Sequence, residues 1–127
     1  MEFPDLDTAR TVLLDKAETM TRRMRAVFHL RTLNTPEAVA ALQEAYDDPS
    51  TLLQHELCYV LGQMGNPLAL PFLLQVMQDS TQPDICRHEA AEAIGAIGAD
   101  THLDALRALV GPTEGVSRNL SVGCGAN

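Results

Sequence analysis

A pattern of His, Glu, apolar residues and Gly occurs twice in this chain, 33 residues apart. Residues 54–65 and 87–98 carry it in the same order, with His and Glu in second and third place and Gly at the end. A weaker copy lies 31 residues before the first, where Met24 and Arg25 replace His and Glu. Self-similarity at such a period is typical of architectures in which repeated units stack on their neighbours.

The spacing of apolar residues predicts helices through most of the chain. Between the repeated motifs, apolar residues recur at intervals of three and four, which is the helical period. Aromatic residues make up only 4% of the chain, and this composition favours helix over sheet. The predicted helices span residues 7–17, 21–33, 36–46, 51–64, 67–78, 83–97 and 101–110.

Four residues mark where predicted helices begin and end. Thr35 and Asn66 each precede a Pro, an arrangement typical of an N-cap followed by the first helical turn. Gly65 and Gly98 close the two repeated motifs and are expected to adopt the left-handed conformation that ends a helix. Each repeat is therefore predicted to be two antiparallel helices joined by a short turn.

A single helix pair cannot cover its own apolar faces, so neighbouring pairs must stack. The sequence predicts an all-α, HEAT-like repeat solenoid of about three helix pairs plus a partial fourth, forming one domain over residues 1–110. Residues 111–127 lose the helical period and are rich in Gly, Ser and Asn. We expect this segment to be a poorly ordered tail.

Charge and composition narrow the classes of function. The net charge of −8 argues against a nucleic-acid partner, and no Lys or Arg occurs between residues 32 and 86. The sequence has no apolar run long enough to cross a membrane and no signal-peptide layout. The three cysteines form no Cys-x-x-Cys pair, so we expect reduced thiols and a cytoplasmic location.

The residues best suited to chemistry are His55, Glu56, His88 and Glu89, which occupy equivalent places in successive repeats. Stacked helices would bring these positions to within about 8–10 Å of one another. Neighbouring side chains on a helix diverge by about 100°, so each His and the following Glu are better placed to reach two targets than one. Imidazole and carboxylate ligands without sulfur suit non-haem iron or manganese. The alternative is that all four are solvated surface residues.

The remaining histidines and two of the cysteines are given structural interpretations. His29 is predicted to lie against the core or a repeat interface, and His102 to be exposed. Cys58 and Cys86 lie close to the motifs, but thiolates would oxidise beside an iron centre that activates oxygen. Both are therefore interpreted as structural.

Residues 25–31, 55–64 and 87–98 together closely resemble the deoxyhypusine hydroxylase family. The resemblance implies an enzyme that hydroxylates the deoxyhypusine residue of translation initiation factor 5A, using dioxygen at a non-haem di-iron centre. It implies two Fe²⁺ ions per complete site. The implied iron ligands are His55, Glu56, His88 and Glu89, with Glu56 reaching the iron held mainly by the other half of the enzyme.

The resemblance covers only one half of the family's pattern, since members have two similar halves with two His-Glu motifs each. It stops near Gly98, and half of the expected ligands are absent, as in a truncated form. Two copies of this chain could pair to supply four motifs, which makes a homodimer the expected way to complete the site. The alternative is a metal-free HEAT-repeat interaction module, similar to bilin-lyase-like repeats, or an inactive fragment.

Overall fold

The computed structural model describes residues 3–109, and side chains as far as residue 99. The described part contains helices and no strand. The helices are α1 (Leu6–Leu14), α2 (Met20–Leu33), α3 (Pro36–Glu44), α4 (Thr51–Met64), α5 (Leu70–Gln78) and α6 (Asp84–Leu109), with a 3₁₀ turn at Pro67–Ala69 before α5. The predicted tail, residues 111–127, lies outside the described residues.

Side-chain caps begin the helices where the sequence predicted them. The Thr35 hydroxyl accepts a hydrogen bond from the Ala38 amide at the start of α3. The Asn66 side chain accepts one from the Leu68 amide and starts the 3₁₀ turn. Gly65 ends α4 in the left-handed region, with φ of 63°. These three predictions are confirmed.

The prediction that Gly98 ends a helix is wrong. Helix α6 continues through it to Leu109, so the separate helix predicted at 101–110 is also wrong. Gly65 and Gly98 differ in the position of the next proline along the chain. Pro67 stands two residues after Gly65 and disfavours helix in the residue before it. After Gly98 the next proline is Pro112, so nothing forces a break.

Helix α5 is shorter than predicted because Pro67–Ala69 form a 3₁₀ turn before it, and two further helices end early. Helix α1 stops at Leu14, because Asp15 is extended and its carboxylate accepts a hydrogen bond from the Ala17 amide. Helix α3 stops at Glu44 and is followed by a tight turn in which the Asp48 amide bonds the Tyr46 carbonyl. In both places a side-chain or backbone turn competes successfully with the last helical turn.

Consecutive helices pack as three pairs, α1 with α2, α3 with α4, and α5 with α6. The second helices of the pairs, α2, α4 and α6, lie side by side, and among the described helices the contact between α4 and α6 is the most extensive. This arrangement confirms the all-α repeat architecture. No helix within residues 3–109 has the length and apolar character needed to cross a membrane. The largest fully buried side chains include Phe3, Leu13, Leu30, Leu42, Leu53, Leu57, Leu61, Leu73 and Ile97.

In each repeat unit, one long polar side chain fixes the start of the second helix. In every unit, the residue just before the His position donates a hydrogen bond to a backbone carbonyl near the end of the preceding helix. The bonds run from Arg23 Nε to the Leu13 carbonyl at 2.9 Å, from Gln54 Nε2 to the Tyr46 carbonyl at 3.0 Å, and from Arg87 Nε to the Met77 carbonyl at 2.9 Å. These bonds set where His55 and His88 stand relative to the first helices.

Arg23 also makes a buried ion pair that connects the first two units. Its Nη2 atom lies 2.8 Å from Asp48 Oδ2, and the two side chains are 4% and 3% exposed. The other Asp48 oxygen accepts a hydrogen bond from the Ser50 amide, and Ser50 caps α4. Burial alone would raise the pKa of Asp48, but its bonds from Arg23 and Ser50 and the charge of Arg23 outweigh burial and lower it.

We expect Asp48→Asn to lower the free energy of unfolding by about 3–5 kcal/mol, because it leaves the Arg23 charge buried without its partner. Urea denaturation measures this loss. The pKa of Asp48 is lowered on folding, so the stabilisation is present above about pH 4 and is lost as the pH falls through the folded-state pKa.

The surface pair between Arg10 and Glu44 is the matched control. Its atoms are 2.7 Å apart, but its side chains are 44% and 49% exposed. Glu44→Gln should therefore cost only about 0–1 kcal/mol. An equal loss in the two variants would contradict the role given to burial.

Candidate metal site

His55 and Glu56 lie in the second turn of α4, and His88 and Glu89 lie in the second turn of α6. The sequence predicted this equivalence, and the structure confirms it. Helices α4 and α6 pack against each other, so the two motifs lie on neighbouring helices.

The structure brings together one residue from each motif. His55 Nε2 lies 3.6 Å from Glu89 Oε1, across the boundary between two repeat units. The Glu89 side chain is only 11% exposed, and the His55 side chain is 33% exposed. Burial raises the pKa of Glu89; the nearby His55 opposes that rise, and Glu92 adds to it. A positively charged neighbour stabilises a buried carboxylate such as that of Glu89.

The other two predicted ligands are placed differently. Glu56 Oε1 lies 3.8 Å from the second ring nitrogen of His55, Nδ1, so Glu56 borders the opposite edge of the same imidazole. His88 Nε2 instead lies 2.9 Å from Glu92 Oε1, one turn along its own helix. His55 and Glu89 thus form the centre of the arrangement, with Glu56 and His88 on either side.

Glu92 is a residue of the site that the sequence reasoning did not single out. It contacts His88, and its carboxyl affects the pKa of Glu89. The signal that could have identified it is its spacing, since it stands three residues after Glu89 and four after His88, on the same helical face. Its equivalent in the second unit is Tyr59, so the repeat pattern did not draw attention to it.

The residues present suit one side of a metal site. Within the described part of the chain, no group of three or more His, Cys, Asp and Glu side chains is arranged to hold a metal ion. The converging donors are one imidazole nitrogen and one carboxylate, both acceptable to iron. The buried Glu89 carboxyl supplies negative charge where a cation would be stabilised, so the donor chemistry fits while the number of ligands is incomplete.

Cys58 and Cys86 are buried and free of disulfide bonds. Burial raises the pKa of Cys58 to about 12 and also raises that of Cys86. Both thiols therefore stay protonated at neutral pH and are poor metal ligands. Their location agrees with the structural interpretation from the sequence.

His29 lies away from the candidate site and packs on the core. Its ring centroid is 5.5 Å from that of the buried Phe3, as the sequence predicted for this residue. The side chain of His102 lies outside the described residues. At the His and Glu positions of the first unit, Met24 and Arg25 line a separate surface pocket on α2.

Helices α4 and α6 approach each other closely at Gly62. A Cβ atom built on Gly62 would lie 2.8 Å from Ala93 Cβ and 2.9 Å from Ala93 Cα. Distances this short leave no room for any side chain at position 62. The absence of a side chain there allows the two helices to approach, and that approach brings His55 within reach of Glu89.

Residues 6–95 match the family described as HEAT repeats. This match covers most of the chain, and the chain belongs to the HEAT-repeat family. The predicted HEAT-like fold class is therefore confirmed.

Within that family, the chain is similar to deoxyhypusine hydroxylases, as its motifs predicted. The deoxyhypusine hydroxylase of Aspergillus fumigatus is 47% identical over 114 residues, which is 84% of this chain and 34% of that protein. The Homo sapiens protein of the same name is 45% identical over 103 residues, covering 81% of this chain and 34% of that protein. The chain thus spans about a third of the length of these relatives.

A solved structure agrees with the sequence comparison. The structure of human deoxyhypusine hydroxylase in complex with glycerol superimposes with a TM-score of 0.74 and 40% sequence identity. It covers 94% of this chain, and the chain covers 42% of it. The comparison of structures therefore agrees with the comparison of sequences in both fold and family resemblance.

We expect Gly62→Ala to lower the free energy of unfolding by about 1–3 kcal/mol, because the added methyl group overpacks the α4–α6 contact. The separation of the helices should also lengthen the distance from His55 to Glu89. Chemical denaturation measures the first effect, and a crystal structure of the variant measures the second.

Gly98→Ala is the control, since a Cβ at Gly98 meets nothing within 4 Å among the described residues. Alanine is the better helix former, so this variant should gain about 0.5–1 kcal/mol. A gain of stability in both variants would contradict the close packing assigned to Gly62.

Proposed function

We propose that this chain carries part of the iron-binding surface of an oxygen-dependent hydroxylase that acts on the deoxyhypusine residue of translation initiation factor 5A, in hypusine biosynthesis. The observation that carries the proposal is the approach of His55 and Glu89 across α4 and α6. The similarity to deoxyhypusine hydroxylases over 84% of the chain supports it. The proposed reaction is a monooxygenation.

The proposed iron ligands are His55, Glu56, His88 and Glu89, and a complete site takes two Fe²⁺ ions. When bound, non-haem iron supplies the activation of dioxygen that insertion of oxygen into a C–H bond requires. Glu89 contributes a buried carboxylate, which is stabilised by a nearby cation. His55 contributes an imidazole, held between Glu56 and Glu89 at 3.8 and 3.6 Å.

His88 makes a different contact from the other three proposed ligands. In the described structure its Nε2 atom lies beside Glu92, so ligation through that atom requires exchange of this contact. An imidazole that is oriented by a carboxylate is a common arrangement around metal sites. The second unit has no matching carboxylate on α4, because Tyr59 stands at the position equivalent to Glu92.

The charge of the second and third units supports a cationic substrate. Between residues 32 and 86 the sequence contains acidic residues and no Lys or Arg. Glu56, Glu89 and Glu92 extend this negative character to the face that bears the candidate site. A surface of one sign attracts a substrate side chain of the other sign and raises its local concentration.

The proposed ligands on this chain form one side of a metal site. A second protein surface must therefore supply the remaining ligands. We propose a second copy of the chain as that surface, paired through a twofold axis so that each copy contributes its own His55 and Glu89. A twofold contact uses the same patch on both copies. The α4–α6 face meets this requirement because its ligands are not enclosed: the His55 and Glu56 side chains are 33% and 32% exposed.

Iron per chain and solution mass test the proposal together, after the purified protein is loaded with ferrous iron without oxygen. We expect about one iron per chain and the mass of a dimer. An iron-free monomer would contradict the proposal and favour the second candidate function, a metal-free HEAT-repeat interaction module. One observation favours this second candidate: within the described residues, no third ligand converges with His55 and Glu89.

Substitutions at the proposed ligands test where the iron binds. We expect His55→Ala and Glu89→Gln each to reduce bound iron at least tenfold while the far-UV circular dichroism stays helical. The matched controls are His29→Asn and Glu37→Gln, which remove a histidine and a carboxylate from places away from the α4–α6 face. Iron content that is unchanged in both site variants would contradict the ligand assignment.

A further inference from the structure

One face of α2 carries apolar and basic side chains at the positions where the later units carry the candidate ligands. An open depression of about 440 Å³ lies on this face. Its lining residues are spaced as neighbours on one side of a helix: Met20, Thr21, Met24, Arg25 and Phe28. At the third place of the repeated motif, Arg25 stands where the next two units have Glu56 and Glu89. The sign of the charge at this place therefore reverses between α2 and α4.

A strip of side-chain contacts joins the depression to α4. The Arg31 guanidinium lies 5.0 Å from the centre of the Phe28 ring. Its Nη1 atom donates a hydrogen bond of 3.0 Å to Gln63 Oε1, and Gln63 Nε2 donates one of 3.2 Å to the Tyr59 hydroxyl. Phe28 and Tyr59 are 42% and 47% exposed. These four residues form the α2–α4 strip, in which two exposed aromatic rings are linked through an arginine and a glutamine.

The composition of the depression and the strip is typical of a protein-binding surface. Met, Arg, Phe and Tyr are enriched at the centres of protein interfaces, whereas Lys, Glu and Asp are depleted there. Exposed aromatic rings are stabilised by apolar contact. Small-molecule sites are usually concave and enclose most of the ligand, and the open face of α2 does not. A protein segment with apolar side chains is therefore the favoured occupant.

The charge of Arg31 decides the sign of that segment. Among residues 3–99, no carboxylate forms an ion pair with Arg31, whose contacts are the Phe28 ring and the Gln63 amide oxygen. A guanidinium has five N–H donors in a fixed plane and binds a carboxylate through two parallel hydrogen bonds. A cationic segment would be repelled here. A segment with a carboxylate supplies both the counter-charge and the acceptors.

We infer that the depression and the α2–α4 strip dock a short segment with apolar and carboxylate side chains, and that this segment belongs to the protein whose cationic side chain enters the candidate site. The second part rests on the proposed function. It is argued from continuity, because α2, α4 and α6 lie side by side and Tyr59 stands one turn after His55. Neighbouring helices are about 8–10 Å apart, so the carboxylate should lie roughly 8–20 Å from the cationic group.

The test uses the full, metal-free chain and NMR chemical shifts. The probe is an acetylated, amidated pentapeptide that alternates glutamate with leucine. We expect saturable shifts at Met24, Phe28 and Arg31 with a Kd of about 0.1–1 mM, which is reasonable for a short flexible peptide. A pentapeptide that alternates lysine with leucine keeps the apolar groups and inverts the charge. It should bind α2 at least tenfold more weakly, although the whole chain has a net charge of −8.

Variants at partly or fully exposed positions locate the docking. Phe28→Ala and Arg31→Gln should each weaken binding of the glutamate–leucine peptide at least fivefold. Arg31→Lys keeps the charge but loses the planar fork, so it should weaken binding less than Arg31→Gln does. The controls are Leu74→Ala on α5, since Leu74 is 43% exposed and thus matches Phe28, and Arg10→Gln on α1. Both controls should bind the peptide as the unchanged chain does.

A longer peptide tests whether one partner uses both surfaces. A lysine placed three residues before the glutamate–leucine segment stands roughly 10 Å from it in an extended chain, so both charges can be met at once. This peptide should bind at least fivefold more tightly than the same peptide with glutamine in place of the lysine. Equal affinities would overturn the assignment of the segment to the substrate protein.

Three results would overturn the docking surface itself: no saturable shift on α2, equal affinity for the lysine–leucine peptide, or unchanged affinity in both Phe28→Ala and Arg31→Gln. A dimer that dissociates in Phe28→Ala, in a chain that binds no peptide, would assign the face to a second copy instead. A chain that binds iron but not the peptide would leave the proposed function standing. A chain that docks the peptide but binds no iron would keep the docking surface and refute the proposed iron site.

Discussion

The close approach of α4 and α6 at Gly62 is the constraint on which the candidate site depends. A side chain at this position would collide with both the Cβ and the Cα atoms of Ala93, so the helices can meet only because position 62 has none. Their approach brings His55 to within 3.6 Å of Glu89. The hydrogen bonds of Gln54 and Arg87 to the preceding helices then fix how far along its axis each histidine stands.

The three repeat units share the same helix-pair backbone, but their side chains have different roles. In the first unit, Arg23 extends the common hydrogen bond into a buried ion pair with Asp48, which joins α1, α2 and the cap of α4. The positions of His and Glu are occupied there by Met24 and Arg25. The second and third units carry the candidate ligands and the carboxylates. The first unit therefore supports the start of α4, and the proposed chemistry is confined to the α4–α6 face.

Much of the fold could be predicted from the sequence, because repeat period, caps and helix stops are local signals. Thr35, Asn66 and Gly65 were placed correctly on that basis. Gly98 was not, because a glycine ends a helix reliably only when the residues after it also oppose one. The site was less predictable. Which ligands meet depends on distances between α4 and α6, so the pairing of His55 with Glu89 and the position of Glu92 could not be obtained from spacing within one helix.

The most direct measurement is anomalous X-ray scattering at the iron edge, from crystals of this chain loaded with ferrous iron without oxygen. It locates the metal without relying on activity or on a variant. We expect an anomalous peak at coordination distance from a ring nitrogen of His55 and from the Glu89 carboxylate, on the α4–α6 face. Anomalous density that lies elsewhere, or no density in crystals soaked to saturation, would contradict it.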